Sequence, residues 1–151
     1  MVDRDLAGRC GLYCGACGIY RAYVDGGEYL EYVSKNWNIP KEKIRCNGCQ
    51  ALTPECWGTG CDRVICLDSK GYKFCYECKE FRDHSCDLFE SVALRYLERG
   101  QDIRESLRRI EAGGADEWLE EQKKRWRCSS CGRPISWYGE KCFQCGKPIV
   151  R

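Results

Sequence analysis

Histidine is nearly missing from this sequence: His84 is the only one among 151 residues. That scarcity works against histidine-dependent chemistry. Hydrolytic zinc sites usually rest on imidazole or carboxylate ligands with one position left open. A serine or cysteine nucleophile needs a general base beside it. No Ser/His/Asp constellation, phosphate-binding loop or dinucleotide fingerprint is present either, so the sequence leans away from an enzyme. Long apolar runs are missing as well. No stretch nears the roughly 18 residues of a membrane span, and no membrane partner is expected. Residues 1 to 9, MVDRDLAGR, are charged and hold no apolar run, so no secretory signal is read there and the expected location is cytoplasmic.

What is abundant is cysteine, at fifteen positions, close to a tenth of the chain. Such density has two physical explanations: a disulfide framework in an oxidising compartment, or thiolates around metal in a reducing one. The odd count and the preponderance of Cys-x-x-Cys pairs, a chelating geometry, select metal. The expected fold class is a small metal-stabilised α+β protein, rich in α-helix, with zinc knuckles and short β-hairpins.

Composition and periodicity divide the chain into a cysteine-rich metal-binding domain at 1–86, a helical segment at 87–126 packing on it, and a C-terminal zinc ribbon at 127–151. In the first part, Tyr29, Val33 and Trp37 repeat every four residues, which predicts a helix from about Glu28 to Trp37 after the Gly26-Gly27 break. Pro40 suits the first turn of a short helix. Residues 45–86 hold eight cysteines and little periodicity, and read as loops and knuckles that need metal to fold. From 87 onward the stripes Leu88, Val92, Tyr96, Leu97, then Ile103, Leu107, Ile110, then Trp118, Leu119, Gln122, Trp126 predict three helices that serve as packing surface. Asp102 with Glu105 resembles a capping box.

The last segment contains an internal repeat at a 14-residue offset. Cys128-Ser-Ser-Cys131-Gly-Arg-Pro-Ile135 is echoed by Cys142-Phe-Gln-Cys145-Gly-Lys-Pro-Ile149. Each half has the form of a zinc knuckle, with two thiolates for one ion and a glycine that lets the backbone turn behind them. Two knuckles close a tetrahedral four-thiolate site. Ile135 to Tyr138 is expected as a short strand, with Gly139 in its turn. Charge is asymmetric in the same sense: residues 1–120 carry 17 Lys and Arg against 21 Asp and Glu, whereas residues 121–151 carry 8 against 2.

In the N-terminal half, Cys10, Cys14 and Cys17 offer three thiolates near one point. Cys46 with Cys49 and Cys75 with Cys78 are bidentate pairs, and Cys56, Cys61, Cys66 and Cys86 are single donors. Fifteen cysteines and His84 make sixteen donors, enough for four tetrahedral sites if all are used. The easiest closure joins Cys75, Cys78 and Cys86 with either His84 or an upstream cysteine, while Cys10, Cys14 and Cys17 draw a thiolate from 46–66. Without His84, eleven cysteines do not fill three four-thiolate sites. Thiolate quartets suit both zinc and iron–sulfur clusters. Glycines beside Cys17, Cys49, Cys131 and Cys145 favour knuckles and zinc, at three to four sites, with a [4Fe–4S] cluster in the N-terminal half as the alternative.

The run Cys10-Gly-Leu-Tyr-Cys14-Gly-Ala-Cys17, then Cys46-Asn-Gly-Cys49, Cys61-x4-Cys66, Lys70-Gly71, Cys75-x2-Cys78, Phe81 and Cys86 resembles the cysteine-rich family called domain of unknown function 3795, over about residues 8 to 90. Cys56 departs from the usual family spacing to Cys61, and Phe81-Arg-Asp-His-Ser-Cys86 stands where the family often shows Phe-Pro-Cys. The resemblance implies a prokaryotic metal-binding protein with no established activity. It places His84 outside the shared pattern.

These features point first to a binding module in which structural zinc supports a surface for a partner. The basic ribbon supplies Arg127, Arg133, Lys141, Lys147 and Arg151 around Trp137, Tyr138 and Phe143, expected to be exposed. A protein partner is the first expectation. Nucleic acid is the second, since cations interleaved with aromatics serve phosphate contact and base stacking. The alternative class is an iron–sulfur redox or sensor protein.

Overall fold

The computed structural model describes residues 2–150. Its regular elements are helical: α1 Gly18–Asp25, α2 Gly27–Trp37, α3 Asp62–Lys70, α4 Lys79–Arg82, α5 Asp87–Leu97, α6 Ile103–Glu111 and α7 Ala115–Arg125, with two short 3₁₀ turns before α1 and three between later helices. Among the described residues no β-strand forms, and no helix is long and apolar enough to cross a membrane. The expected β-hairpins, and with them the α+β class, are therefore corrected to a helix-rich fold. The strand read at Ile135 to Tyr138 is replaced by two isolated antiparallel bridges in the last segment, Arg127 with Pro134 and Lys141 with Pro148. Proline has no backbone N–H to donate, so pairing stops at a single bridge in each repeat.

The loop reading of 45–86 also changes, because α3 crosses it. Val64 and Leu67, three residues apart, are its buried face, and Gly71 ends it in the left-handed region at φ 71°. Nine residues with cysteines at the cap and in the middle leave too few apolar positions for a period to stand out. Elsewhere the stripes form helices where the periodicity places them. In α6, Ile103, Leu107 and Ile110 face inward, and the Asp102 side chain accepts the Glu105 N–H at 3.0 Å.

One buried cluster takes residues from every part of the chain: Cys10, Tyr13 and Phe74 from the cysteine-rich half, Phe89, Leu107 and Trp118 from the helices, and Trp137 from the C-terminal segment. Burying side chains of this size stabilises by about 1.5–3 kcal/mol each. Two indole N–H groups that enter the core are matched. Trp118 Nε1 donates to Ser106 Oγ at 3.1 Å, and Trp126 Nε1 to Gln122 Oε1 at 3.1 Å. A second cluster, Ile19, Ala22, Tyr29, Val33, Ile39, Ile44 and Cys46, sits under α1 and α2, with Phe143 against its edge.

Candidate metal centres

Cys128, Cys131, Cys142 and Cys145 converge at the C-terminal end. Among the described residues they form the one group of three or more Cys, His, Asp or Glu whose ligand atoms all lie within 4.8 Å of one another. Cys128 Sγ is 3.5 Å from Cys145 Sγ, and Cys131 Sγ is 3.6 Å from Cys142 Sγ. The sequence repeat is a structural repeat. Cys128 N–H donates to Arg133 O and Cys142 N–H to Lys147 O, both at 2.8 Å. Gly132 N–H closes on Cys128 O at 2.9 Å and Gly146 N–H on Cys142 O at 2.8 Å. These two glycines sit at φ 74° and 77°, where a side chain is strained, so each knuckle needs glycine after its second cysteine.

Backbone amides of Cys131 and Ser130 aim at Cys128 and hold its thiol down to about 6. Cys131 moves up to about 11: the Arg133 amide favours its thiolate, but desolvation and the neighbouring thiols outweigh it. The Cys128 thiolate thus forms easily, whereas Cys131 keeps its proton until a cation compensates it.

The eleven remaining cysteines gather by long-range folding. Cys14 Sγ, on the 3₁₀ turn Cys14–Ala16, lies 3.5 Å from Cys49 Sγ. Cys17 interacts electrostatically with both, and Cys46 with Cys17 and Cys49. Gly48 N–H points at Cys46 Sγ from 3.4 Å. The hydrogen bond from Cys14 lowers Cys49 to about 7, while the same contact and burial raise Cys14; burial raises Cys46 to about 12.

A second group lies across the core. Cys66 on α3, Cys75 and Cys78 around the turn before α4, and Cys86 capping α5 line one small cavity. Cys66 thus stands with Cys75, Cys78 and Cys86, whereas His84 is exposed with its Nδ1 3.8 Å from Glu90 Oε1.

Three further cysteines stand beside these groups, Cys10 interacting with Cys75 and Cys49, and Cys56 with Cys46. Cys10 and Cys61 both interact with Arg63, and burial pushes the Cys10 thiol up to about 11. Cys56 Sγ accepts from Thr53 N–H at 3.3 Å, and its neighbours Thr53 Oγ1 and Asn47 Nδ2 stand at 3.4 and 3.7 Å. Burial opposes its thiolate, but these hydrogen bonds win and its thiol is lowered.

The aromatics expected on the surface of the ribbon turn inward instead. Trp137 is 1 % exposed. Its ring meets Trp126 at 6.1 Å and Tyr96 at 5.9 Å, and Tyr138 Oη pairs with Tyr96 Oη at 2.9 Å. Phe143 packs 5.0 Å from both Tyr29 and Tyr32. Arg127, Arg133, Lys141 and Lys147 remain exposed; Arg151 lies outside the described residues. Sequence periodicity does not reveal this inward turn, because the segment has no regular element to impose one.

A family model described as "Protein of unknown function (DUF3795)" matches residues 6–91, more than half of the chain, and the chain belongs to that family. The match takes in the eleven N-terminal cysteines and ends before α6, α7 and the C-terminal quartet. No curated protein and no solved structure matches the chain.

Proposed function

We propose that this family member is a metal-organised binding module, in which zinc holds the C-terminal segment as a ribbon and the ribbon's basic face engages an acidic protein partner. The sulfur spacing carries the reading. A tetrahedral ion with Zn–S bonds of about 2.3 Å sets its thiolates about 3.8 Å apart. The cross-pairs of the C-terminal quartet stand at 3.5 and 3.6 Å, near that edge and too tight for thiolates carried by separate irons of a cube. The Cys14–Cys49 pair, 3.5 Å apart with Cys17 and Cys46 interacting beside it, marks a second group of donors. With His84 at the surface, two quartets and three further cysteines account for the N-terminal donors.

A protein is the better partner because stacking on bases needs free rings. Trp137 is buried and Phe143 is packed on Tyr29 and Tyr32, which leaves mainly cations outside.

Zinc content of the purified chain and of Cys142→Ser tests the metal. The variant is expected to lose about one zinc per chain, and an unchanged content contradicts the reading. An oligonucleotide at low salt is expected not to bind. Tight binding that weakens steeply with salt would transfer the partner to nucleic acid.

A further inference from the structure

We propose that Cys66, Cys75, Cys78 and Cys86 hold a [4Fe–4S] cluster. The inference rests on the metal-organised reading above, but concerns a separate set of sulfurs. These four thiols line one cavity with Phe81 and Phe89 in its wall.

The contrast with the C-terminal quartet decides the occupant. There the sulfurs close on a point. Here no three of them come within 4.8 Å of one another, since among the described residues only the C-terminal group does so. Thiols arranged around a void match a polynuclear core, where each thiolate binds its own iron and inorganic sulfide fills the space between. Phe81 and Phe89, in the wall, meet edge to face at 4.7 Å.

The surroundings suit such a core. Its thiolates leave a net negative charge, and two cations are placed to compensate it. Lys70 Nζ donates to Cys78 Sγ at 3.4 Å. Arg63 lines the cavity and buries a guanidinium Nε that has no hydrogen-bond partner. Phe89 N–H donates to Cys86 Sγ at 3.4 Å. Hydrogen bonds to the sulfurs and an apolar wall against water are what the protein contributes at a cluster.

The test is iron, sulfide and zinc analysis of the full chain, prepared without oxygen and supplied with ferrous iron and sulfide. About four irons and four sulfides per chain are expected, with broad visible absorption that dithionite bleaches. Cys86→Ser should lose the iron and the colour but keep ribbon zinc, whereas Cys142→Ser should keep the iron and lose zinc. A colourless chain without iron, or iron retained at full level in Cys86→Ser, overturns the cluster while leaving the ribbon reading intact. Zinc unchanged in Cys142→Ser overturns the ribbon reading while leaving the cluster intact. Should Cys86→Ser fail to fold, the iron count and Mössbauer spectrum of the unmutated chain decide the matter.

Discussion

The two ends of the molecule assemble thiolates in opposite ways. The C-terminal quartet draws all four cysteines from one 18-residue stretch, Cys128 to Cys145, with two knuckles closed by the same local hydrogen bonds. The N-terminal groups draw theirs from across the fold. Cys14 meets Cys49, 35 positions away, and Cys66 joins Cys75, Cys78 and Cys86 only once α3 packs near α5. A local site depends on its turns; an assembled site depends on the core, and the core depends on it. Cys14, Cys46 and Cys75 are themselves buried, so a metal bound by them would compensate groups that otherwise lie inside the packing.

The sharpest way to break this comparison is to remove all metal. A structural zinc contributes about 10–16 kcal/mol, as much as the roughly 5–15 kcal/mol net stability of an entire domain. A strong chelator under reducing conditions should therefore abolish the near-ultraviolet circular dichroism of Trp118, Trp126 and Trp137. Retention of that signal would show that the core holds without metal. Next in size is Trp137→Ala, which empties the seat of the ribbon on the core. We expect a loss of about 3–5 kcal/mol in denaturant unfolding, with zinc content unchanged because the knuckles are local. A variant that loses zinc instead would make the ribbon as dependent on the core as the N-terminal sites.

Acid should separate the metal sites more gently. Protons compete with metal for thiolates. Cys128, depressed to about 6 by backbone amides, favours the folded ribbon fully above the ordinary thiol range, and this contribution is lost as pH falls through that value. Zinc captured by a chromophoric dye should thus appear only near or below pH 6, and release already in the usual thiol range of about 8.5 would contradict the amide geometry. The smallest effect is expected for Tyr96→Phe, which removes the 2.9 Å hydroxyl pair with Tyr138 and should cost about 0.5–1.5 kcal/mol in the same unfolding measurement.

The same contrast explains what could be read from residue order alone. The convergence of the four C-terminal cysteines was legible because their spacing is short and repeated. The α5, α6 and α7 stripes were legible because the 3.6-residue period survives over two or three turns. Cys75, Cys78 and Cys86 were legible as one group, but Cys66 as their fourth member was not, since several upstream cysteines satisfy the same spacings. The hairpins failed at Pro134 and Pro148, where a missing N–H limits each pairing to one bridge. Trp137 was expected outside because the segment is basic, yet its indole fills the gap beside Trp126 and Tyr96.

The most direct measurement of the central claim is X-ray absorption at the zinc edge on the intact chain. Four sulfur neighbours at about 2.3 Å, with no nitrogen or oxygen in the shell, are predicted. A mixed shell containing nitrogen or oxygen, or a chain that carries no zinc, would contradict it.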